Sequence, residues 1–154
     1  MSRIAGPNFD VEERSDGIAV VRVWRRPDLT REEGARCAEL IVGHMRRLAK
    51  RLRGCIFDMT RATTTWGPAT HESIGQMLAA WESASKSIVT ITPNEAITRI
   101  LMRELQQAKA PQLGKLATTY EEAFALLGGA EDAKPPATIP PSGKRKSEPG
   151  ADKA

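Results

Sequence analysis

Residues 55–68 read CIFDMTRATTTWGP, and three kinds of local structure meet in this stretch. The run CIFDM (55–59) is short and apolar, which is typical of a buried strand. Pro68 suits the first position of a helix, because its missing N–H would have no partner there. Between them lie four threonines, an arginine and a tryptophan. The stretch therefore predicts a strand, a polar loop and a helix start in direct succession.

The sequence that follows continues to alternate between helix and strand. A helix is predicted from Pro68 to about Ser85, with apolar residues along one side. SIVTI (87–91) is β-branched and nearly continuous, which indicates a strand covered on both faces. QLGKLAT (112–118) predicts the last strand, and TTYEEAFALLGG (118–129) predicts a last helix that ends at its glycine pair.

The helix between these two strands is predicted to begin at TPNE (92–95). Thr92 is its expected N-cap and Glu95 is expected to bond back to it, as in a capping box. Pro111 should stop the helix, since proline cannot continue it. Three–four spacing predicts an inner stripe that consists of Ile97, Ile100, Leu101, Leu105 and Ala108.

The sequence that precedes CIFDM predicts a hairpin and a long helix. FDVEER (9–14) and IAVVRVW (18–24) are typical of strands, and a short SDG turn joins them. Thr30 and Glu33 have the spacing of a capping box and predict a helix start. Apolar residues at helical spacing extend this helix to about Arg53, where a glycine ends it.

The predicted order is thus β-β-α-β-α-β-α-β-α, in which strands alternate with helices. Such alternation indicates a mostly parallel sheet with helices packed on it, and the opening hairpin makes the sheet mixed. We therefore predict one α/β domain over residues 1–129, with a mixed, mostly parallel five-stranded sheet and about four helices. Residues 130–154 contain half of the prolines and few large apolar side chains, which predicts a disordered Pro/Lys-rich tail.

Composition limits the classes of protein to consider. The 154 residues carry a formal net charge of +4, which is too mild to identify a nucleic-acid binder. No apolar run reaches the roughly 18 residues of a membrane-spanning helix, and the first residues lack the apolar region of a secretory signal. Cys37 and Cys55 stand apart from each other and from histidine, which indicates reduced structural thiols and predicts a cytoplasmic protein.

The succession of segments is similar to that of STAS-like domains, the family of anti-sigma-factor antagonists and sulfate-transporter tails. The segments that carry the similarity are IAVVRVW, DLTREE, CIFDMTRAT, SIVTITPNEA and TYEEAFALL. They cover nearly all of the predicted folded region, and the likeness lies in their order and spacing. The resemblance implies a non-enzymatic protein–protein interaction module in bacterial signalling or regulation.

This sequence departs from that family at the phosphorylatable serine. Asp58-Met59-Thr60 matches the family's Asp-Leu-Ser, but Thr65-Trp66-Gly67-Pro68 stands in place of Asp-Ser-Ser-Gly. The resemblance therefore implies a partner-binding surface without the usual serine switch. The candidate substitutes for phosphorylation are Thr63, Thr64 and Thr65.

Polar residues are expected to gather at one rim of the sheet, because ligands of open α/β sheets bind outside the carboxyl ends of the strands. Residues 60–66, 92–94 and 118–119 belong to this rim. Their hydroxyls and helix N–H groups suit an anion, helix capping or contact with a protein, and the sequence leaves these interpretations open. We predict partner contact at Thr60, Arg61, Thr63, Thr64, Thr65, Trp66 and His71. The alternative is a small-ligand domain that binds an anion or a lipid at the same rim.

No recognised motif for catalysis, a metal or a cofactor accompanies this rim. His71 is placed to face Thr64 or Asp58, but no nucleophile–base motif surrounds them. The sequence lacks GxxxxGK and GxGxxG loops, and it has no His, Cys or carboxylate cluster with metal-ligand spacing. We therefore predict a protein without enzyme activity, cofactor or metal.

The run HMRRLAKRLR (44–53) is strongly basic and has two interpretations. Its charges stabilise the C-terminal end of a helix and would then form a solvated flank. Alternatively, Arg46, Arg47 and Arg51 would contact an acidic partner or the phosphates of a nucleic acid. Because no aromatic residue is interleaved with these charges, the sequence favours the solvated flank.

Overall fold

Six strands form one mixed sheet in the computed structural model, which describes residues 2–62 and 66–131. The strands are β1 (Ser2–Ala5), β2 (Phe9–Glu13), β3 (Ile18–Trp24), β4 (Gly54–Arg61), β5 (Ser87–Ile91) and β6 (Gly114–Ala117). They lie side by side in chain order. The pairs from β1 to β3 are antiparallel and the pairs from β3 to β6 are parallel. The predicted mixed, mostly parallel α/β fold is therefore confirmed.

Helices cover both faces of this sheet. They are α1 (Arg31–Arg51), α2 (Pro68–Ser83), α3 (Ala96–Lys109) and α4 (Tyr120–Glu131). Each of the first three links two adjacent parallel strands, and each crossover advances one strand in the same direction. Because such crossovers are right-handed, α1, α2 and α3 pack on one face. α4 follows the last strand and packs on the opposite face, against β4, β5 and β6.

The layer beneath α1, α2 and α3 contains the larger part of the core. Phe57 on β4 and Trp81 on α2 are completely buried there, and the Trp81 indole N–H donates a hydrogen bond to the Met45 sulfur over 3.3 Å. Cys37 and Cys55 are buried free thiols in the same layer. Burial raises the pKa of the Cys55 thiol and keeps it protonated, which favours the structural interpretation.

The layer beneath α4 is smaller and covers only part of its face. Ile56, Val89 and Ile91 pack there against Ala123 and Leu127 of the helix. On β2 and β3 the same face carries charged groups, because side chains alternate along a strand and the residues between them belong to the opposite layer. These charged residues are Asp10, Glu12 and Arg22.

The start of α1 is built as predicted. The Thr30 hydroxyl accepts a hydrogen bond from the Glu33 N–H over 3.1 Å, and the Glu33 carboxylate accepts one from the Thr30 N–H over 2.8 Å. This reciprocal pair satisfies two backbone donors that have no partner within the helix. The end of α1 differs slightly, since the helix stops at Arg51 and Gly54 is the first residue of β4.

The prediction for α3 is wrong in two respects. Its N-cap is Glu95, whose carboxylate accepts from the Thr98 N–H over 3.0 Å, whereas Thr92 is buried and does not cap the helix. Ile97 and Ile100 are 56% and 52% exposed, so they do not form the inner stripe. The buried stripe consists of Thr98, Met102, Leu105 and Gln106. The prediction of Leu105 is confirmed, whereas Ala108 is exposed. Two members of the buried stripe are polar, and an apolar pattern does not detect them.

Two further details of the sheet and its last helix differ from the prediction. The predicted five strands omit β1, whose four residues are all exposed and carry no alternating apolar pattern. β1 forms by antiparallel pairing with the edge of β2, where Ile4 lies opposite Val11. The glycine pair does not end α4, which continues to Glu131. Glycine costs roughly 1 kcal/mol in a helix and is tolerated here. The predicted tail falls largely on residues 132–154, outside the described residues.

Two leucines on α1 give a matched test of this packing. Leu48 is 3% exposed in the core and Leu40 is 55% exposed. Leu48→Ala should lower the free energy of unfolding by about 2–5 kcal/mol, because it leaves a cavity in the larger layer. Leu40→Ala should change it by less than about 0.5 kcal/mol. Urea unfolding measures both values, and equal losses would contradict the described orientation of α1.

Candidate functional site

An open cleft of about 910 Å³ lies at the carboxyl ends of β3 and β4, beside the first residue of α4. We call it the arginine cleft. Its charged lining residues are Arg3, Asp10, Arg22, Arg25, Asp58 and Arg61. Thr60, Trp24 and Tyr120 complete its polar and aromatic walls. Four guanidinium groups thus face two carboxylates, so the cleft carries an excess of positive charge.

The register of the sheet brings these groups together. β3 and β4 pair in parallel, with Arg22 beside Asp58 and Trp24 beside Arg61. The register shifts between Arg22 and Trp24, which indicates a bulge or irregularity at the strand end. Such bulges redirect side chains next to binding sites. Beyond the bulge, the Arg25 N–H donates to the Arg61 carbonyl over 3.0 Å and holds the two strand ends together.

Asp58 forms the floor of the arginine cleft and is only 9% exposed. Its Oδ1 accepts hydrogen bonds from the Thr60 N–H over 2.9 Å and from the Thr60 hydroxyl over 2.7 Å. Its Oδ2 accepts from the Tyr120 hydroxyl over 2.5 Å. All three donors are neutral, so they hold the carboxylate without cancelling its charge.

Tyr120 joins α4 to this floor. Burial, and then its hydrogen bond to the Asp58 carboxylate, raise the pKa of the Tyr120 phenol above its ordinary value of 10.0. The phenol therefore remains a hydrogen-bond donor at neutral pH. The Arg22 guanidinium lies 6.0 Å from the centre of its ring, within reach of a cation–π contact.

Arg22 is part of a charge network on the uncovered part of this face. It donates to Asp10 and to Glu12, each over 3.1 Å, and Arg3 donates to the other oxygen of Asp10 over 2.8 Å. Burial acts to lower the pKa of Arg22, but interactions with Tyr120, Asp10 and Glu12 outweigh it and raise that pKa. Arg22 thus stays charged and is already neutralised by its neighbours.

Arg25 and Arg61 differ from Arg22 because both are exposed at the mouth of the cleft. Neither Arg25 nor Arg61 takes part in an ion pair within residues 2–62 and 66–131. Two arginines on adjacent strand ends therefore face solvent without a compensating acid among the described residues. Such a pair is suited to an anionic group from outside the chain.

Trp66 and His71 form a second polar contact, at the start of α2. The Trp66 indole N–H donates to His71 Nδ1 over 3.0 Å, and the rings stack at a centroid distance of 6.4 Å. An indole N–H only donates, so His71 Nδ1 is the acceptor of this hydrogen bond. Trp66 is half-buried and packs against the larger core layer. It is thus both a cover for that layer and a partly exposed aromatic surface.

The structure separates the predicted site residues into two groups. Thr60 and Arg61 line the arginine cleft, whereas Trp66 and His71 contact each other beside α2. The hydrogen-bond partner described for His71 is Trp66 and not Asp58. The predicted phosphorylation sites Thr63, Thr64 and Thr65 lie outside the described residues and remain predictions.

Sequence reasoning missed Arg22, Arg25 and Tyr120. Arg22 had a detectable signal, because it interrupts the apolar run IAVVRVW within a strand. A charge inside such a run indicates a strand end that leaves the core. Tyr120 gave no comparable signal, since its contact with Asp58 spans 62 positions of the chain.

The basic run of α1 is engaged mainly within the chain. Arg46 donates to Gln76, Arg51 pairs with Glu13, and Arg47 contacts His44. Burial, followed by the charge of Arg47, lowers the pKa of His44. These contacts favour the solvated flank over a nucleic-acid dock.

The described residues lack the features of a metal site and of a membrane-spanning helix. The described residues contain no group of three or more His, Cys, Asp or Glu side chains arranged to hold a metal ion. None of the helices described here combines the length and the apolar character needed to cross a membrane. No protein-family model matches the sequence, and no curated protein matches it.

The single tyrosine of the chain makes its environment directly measurable. We expect the tyrosinate absorbance of the folded protein to appear at higher pH than in the unfolded chain, because the pKa of Tyr120 is raised. The raised pKa of Tyr120 stabilises the folded protein. This stabilisation is fully present below pH 10.0, the ordinary pKa of tyrosine, and is lost as the pH rises through the pKa of Tyr120 in the folded protein.

Spectrophotometric titration of the folded and urea-unfolded protein measures this difference. Asp58→Asn should move the folded titration back toward the unfolded one, since it removes the carboxylate that holds the phenol proton. Tyr120→Phe is the control and should abolish the signal. Coincident folded and unfolded titrations would contradict the described contact between Tyr120 and Asp58.

Proposed function

We propose that this chain is a non-enzymatic protein–protein interaction module of bacterial signalling or regulation, related to STAS-like domains. Its partner binds at the end of β4 and the start of α2. We call this surface the docking edge and define it as Thr60, Arg61, Trp66 and Pro68–His71. The proposal is supported by the element order, which resembles that family, and by the exposure of this edge.

The observation that carries the proposal is the open N-terminus of α2. Its N-cap is Gly67, which has no side chain to accept a hydrogen bond, and its first turn contains no acidic residue. Residues 67–70 are exposed. The free N–H groups of a helix start carry partial positive charge and attract anionic groups. With Arg61 exposed at the preceding strand end, the docking edge favours an acidic partner surface.

The other helix starts show why α2 is distinctive among the described helices. α1 has its capping box and two glutamates in the first turn, and Glu95 caps α3. At α4, the Thr119 hydroxyl accepts from the Glu122 N–H over 3.1 Å. These helix starts are satisfied by residues of the chain itself, whereas α2 offers its donors to a partner. Trp66 adds an aromatic surface of the type that dominates interface energetics.

A small ligand at the same rim is the second candidate function. The arginine cleft is concave and its volume lies in the range of small-molecule sites. Its charged lining favours an anion over a lipid, because a lipid chain requires predominantly apolar walls.

An affinity pull-down from the source organism tests the docking edge. Arg61→Glu and Trp66→Ala should each reduce the recovery of the specific partner by about tenfold, a loss typical of interface hot-spot residues. Recovery should also fall with rising salt, because the contact is partly electrostatic. Arg36→Glu changes the same charge on the exposed side of α1 and should leave recovery unchanged. Retention of every partner by both docking-edge variants would reject the proposal.

Phosphorylation of Thr63, Thr64 or Thr65 is a proposed regulation of this edge. A phosphate adds about −1.5 to −2 charges at neutral pH, in the sequence segment between Arg61 and α2. The added charge opposes an acidic partner, so Thr64→Glu should weaken recovery in the pull-down. Thr64→Gln has a similar size without charge and should not. Equal recovery with both variants, together with phosphoproteomics that detects no phosphothreonine, would reject this regulation.

A further inference from the structure

The arginine cleft contains opposite charges at two separate places. At its mouth, Arg25 and Arg61 have no ion pair among the described residues. At its floor, Asp58 accepts three hydrogen bonds from neutral donors and belongs to none of the ion pairs among the described residues. Arg3 and Arg22 are already neutralised by Asp10 and Glu12. A ligand that matches this cleft therefore needs an anionic end and a hydrogen-bond-donating end.

The mouth favours a doubly charged tetrahedral oxyanion. The two guanidinium groups come from adjacent strand ends, which the Arg25–Arg61 backbone hydrogen bond holds together. A guanidinium offers a planar fork of N–H donors that matches the oxygens of a phosphate, and two forks supply two positive charges. A phosphate monoester carries close to two negative charges at neutral pH. Its charge therefore matches that of the arginine pair.

The floor selects for hydroxyl groups on the rest of the ligand. A carboxylate has about four acceptor positions, and the described contacts of Asp58 use three of them. Asp58 lines the cleft, and the described contacts leave one of its acceptor positions unused. The same negative charge repels a bare anion from the floor. A hydroxylated body would therefore be favoured there, with its phosphate kept at the mouth.

The cleft is large enough to hold a ligand the size of a sugar phosphate. The cleft volume of about 910 Å³ falls within the usual range for small-molecule sites. Trp24 is half-buried and contributes an aromatic residue to the lining of the cleft. We propose that the arginine cleft binds a small phosphate monoester with a polyhydroxyl body, such as a sugar phosphate. Arg25 and Arg61 hold the phosphate, and Asp58 accepts from a hydroxyl.

This site rests on the second candidate function, a small anionic ligand in the same cleft, and not on the docking function, although both surfaces include Thr60 and Arg61. The two are separated by their readouts, because partner recovery depends on Trp66 and ligand binding does not. Trp66→Ala should therefore leave ligand binding unchanged. Asp58→Asn should alter ligand binding without removing a member of the docking edge.

Calorimetric titration of the full chain at low salt tests the site. The probes are glucose 6-phosphate, inorganic phosphate and glucose. Glucose 6-phosphate should bind more tightly than inorganic phosphate, and glucose should give no binding at about 10 mM, well above a millimolar Kd. The Arg25→Ala/Arg61→Ala double variant should weaken binding of glucose 6-phosphate at least about tenfold, as expected for lost charge-assisted hydrogen bonds.

A matched control removes the same charge elsewhere. Arg36→Ala/Arg103→Ala replaces two exposed arginines on α1 and α3 and should change the affinity for glucose 6-phosphate less than about twofold at constant salt. Asp58→Asn should strengthen the binding of inorganic phosphate and reduce the preference for glucose 6-phosphate. The substitution removes both the negative charge that repels phosphate and the carboxylate oxygen that accepts from a ligand hydroxyl. Thermal melts of each variant confirm that it is folded.

Three results would overturn the proposal. The first is the absence of glucose 6-phosphate binding to the folded wild-type protein. The second is an equal loss of affinity in the cleft and control double variants, which would indicate nonspecific attraction. The third is an unchanged preference for glucose 6-phosphate over inorganic phosphate in folded Asp58→Asn. Any of these is distinct from failure of the pull-down, which measures recovery of a protein partner and depends on Trp66, a residue outside the cleft lining.

Discussion

The parallel pairing of β3 with β4 is the constraint on which the rest of the structure depends. It sets Val20 beside Ile56 in the core and, two residues further along, Arg22 beside Asp58 at the carboxyl edge. Side chains alternate between the faces of a strand, so one register specifies both pairs. A slip of one residue would turn Arg22 toward the layer beneath α1 and expose its apolar neighbours. Burial of the core thereby fixes the position of the cleft.

Unequal coverage of the two faces explains why the arginine cleft lies on the face that α4 covers. Three crossover helices cover the face that contains Phe57, whereas the opposite face receives α4 over β4, β5 and β6. Beyond the edge of α4, an apolar surface would face water, and the sequence places paired charges there instead. Tyr120 lies at the boundary between the two regions. Its ring packs with the α4 layer and its hydroxyl reaches Asp58, so the helix start and the cleft floor share one contact.

The sequence predicts features whose causes are local and misses those whose causes are distant. Thr30 and Glu33 are three positions apart, and their capping box forms as their spacing indicates. Ile97 and Ile100 also fit a helical pattern, but packing instead buries Thr98 and Gln106, whose amide donates to the Lys115 carbonyl over 2.8 Å. That contact belongs to the tertiary structure. The same distinction applies to the candidate site. The positions of Thr60 and Arg61 can be predicted from the end of the strand that precedes them, whereas Tyr120 lies in the cleft because of tertiary packing that the sequence does not reveal.

The distribution of charge in the cleft has a consequence for selectivity. If an arginine neutralised Asp58, the floor would be electrically neutral and the mouth would accept any anion. Asp58 is held by Thr60 and Tyr120 instead, so its carboxylate is bonded to neutral groups while the exposed arginines lie at the mouth. Opposite charges at separate places attract a ligand with a matching arrangement and repel one without it. Because the same three hydrogen bonds attach α4 and shape the β4 end, the fold preserves this arrangement for as long as its last helix stays in place.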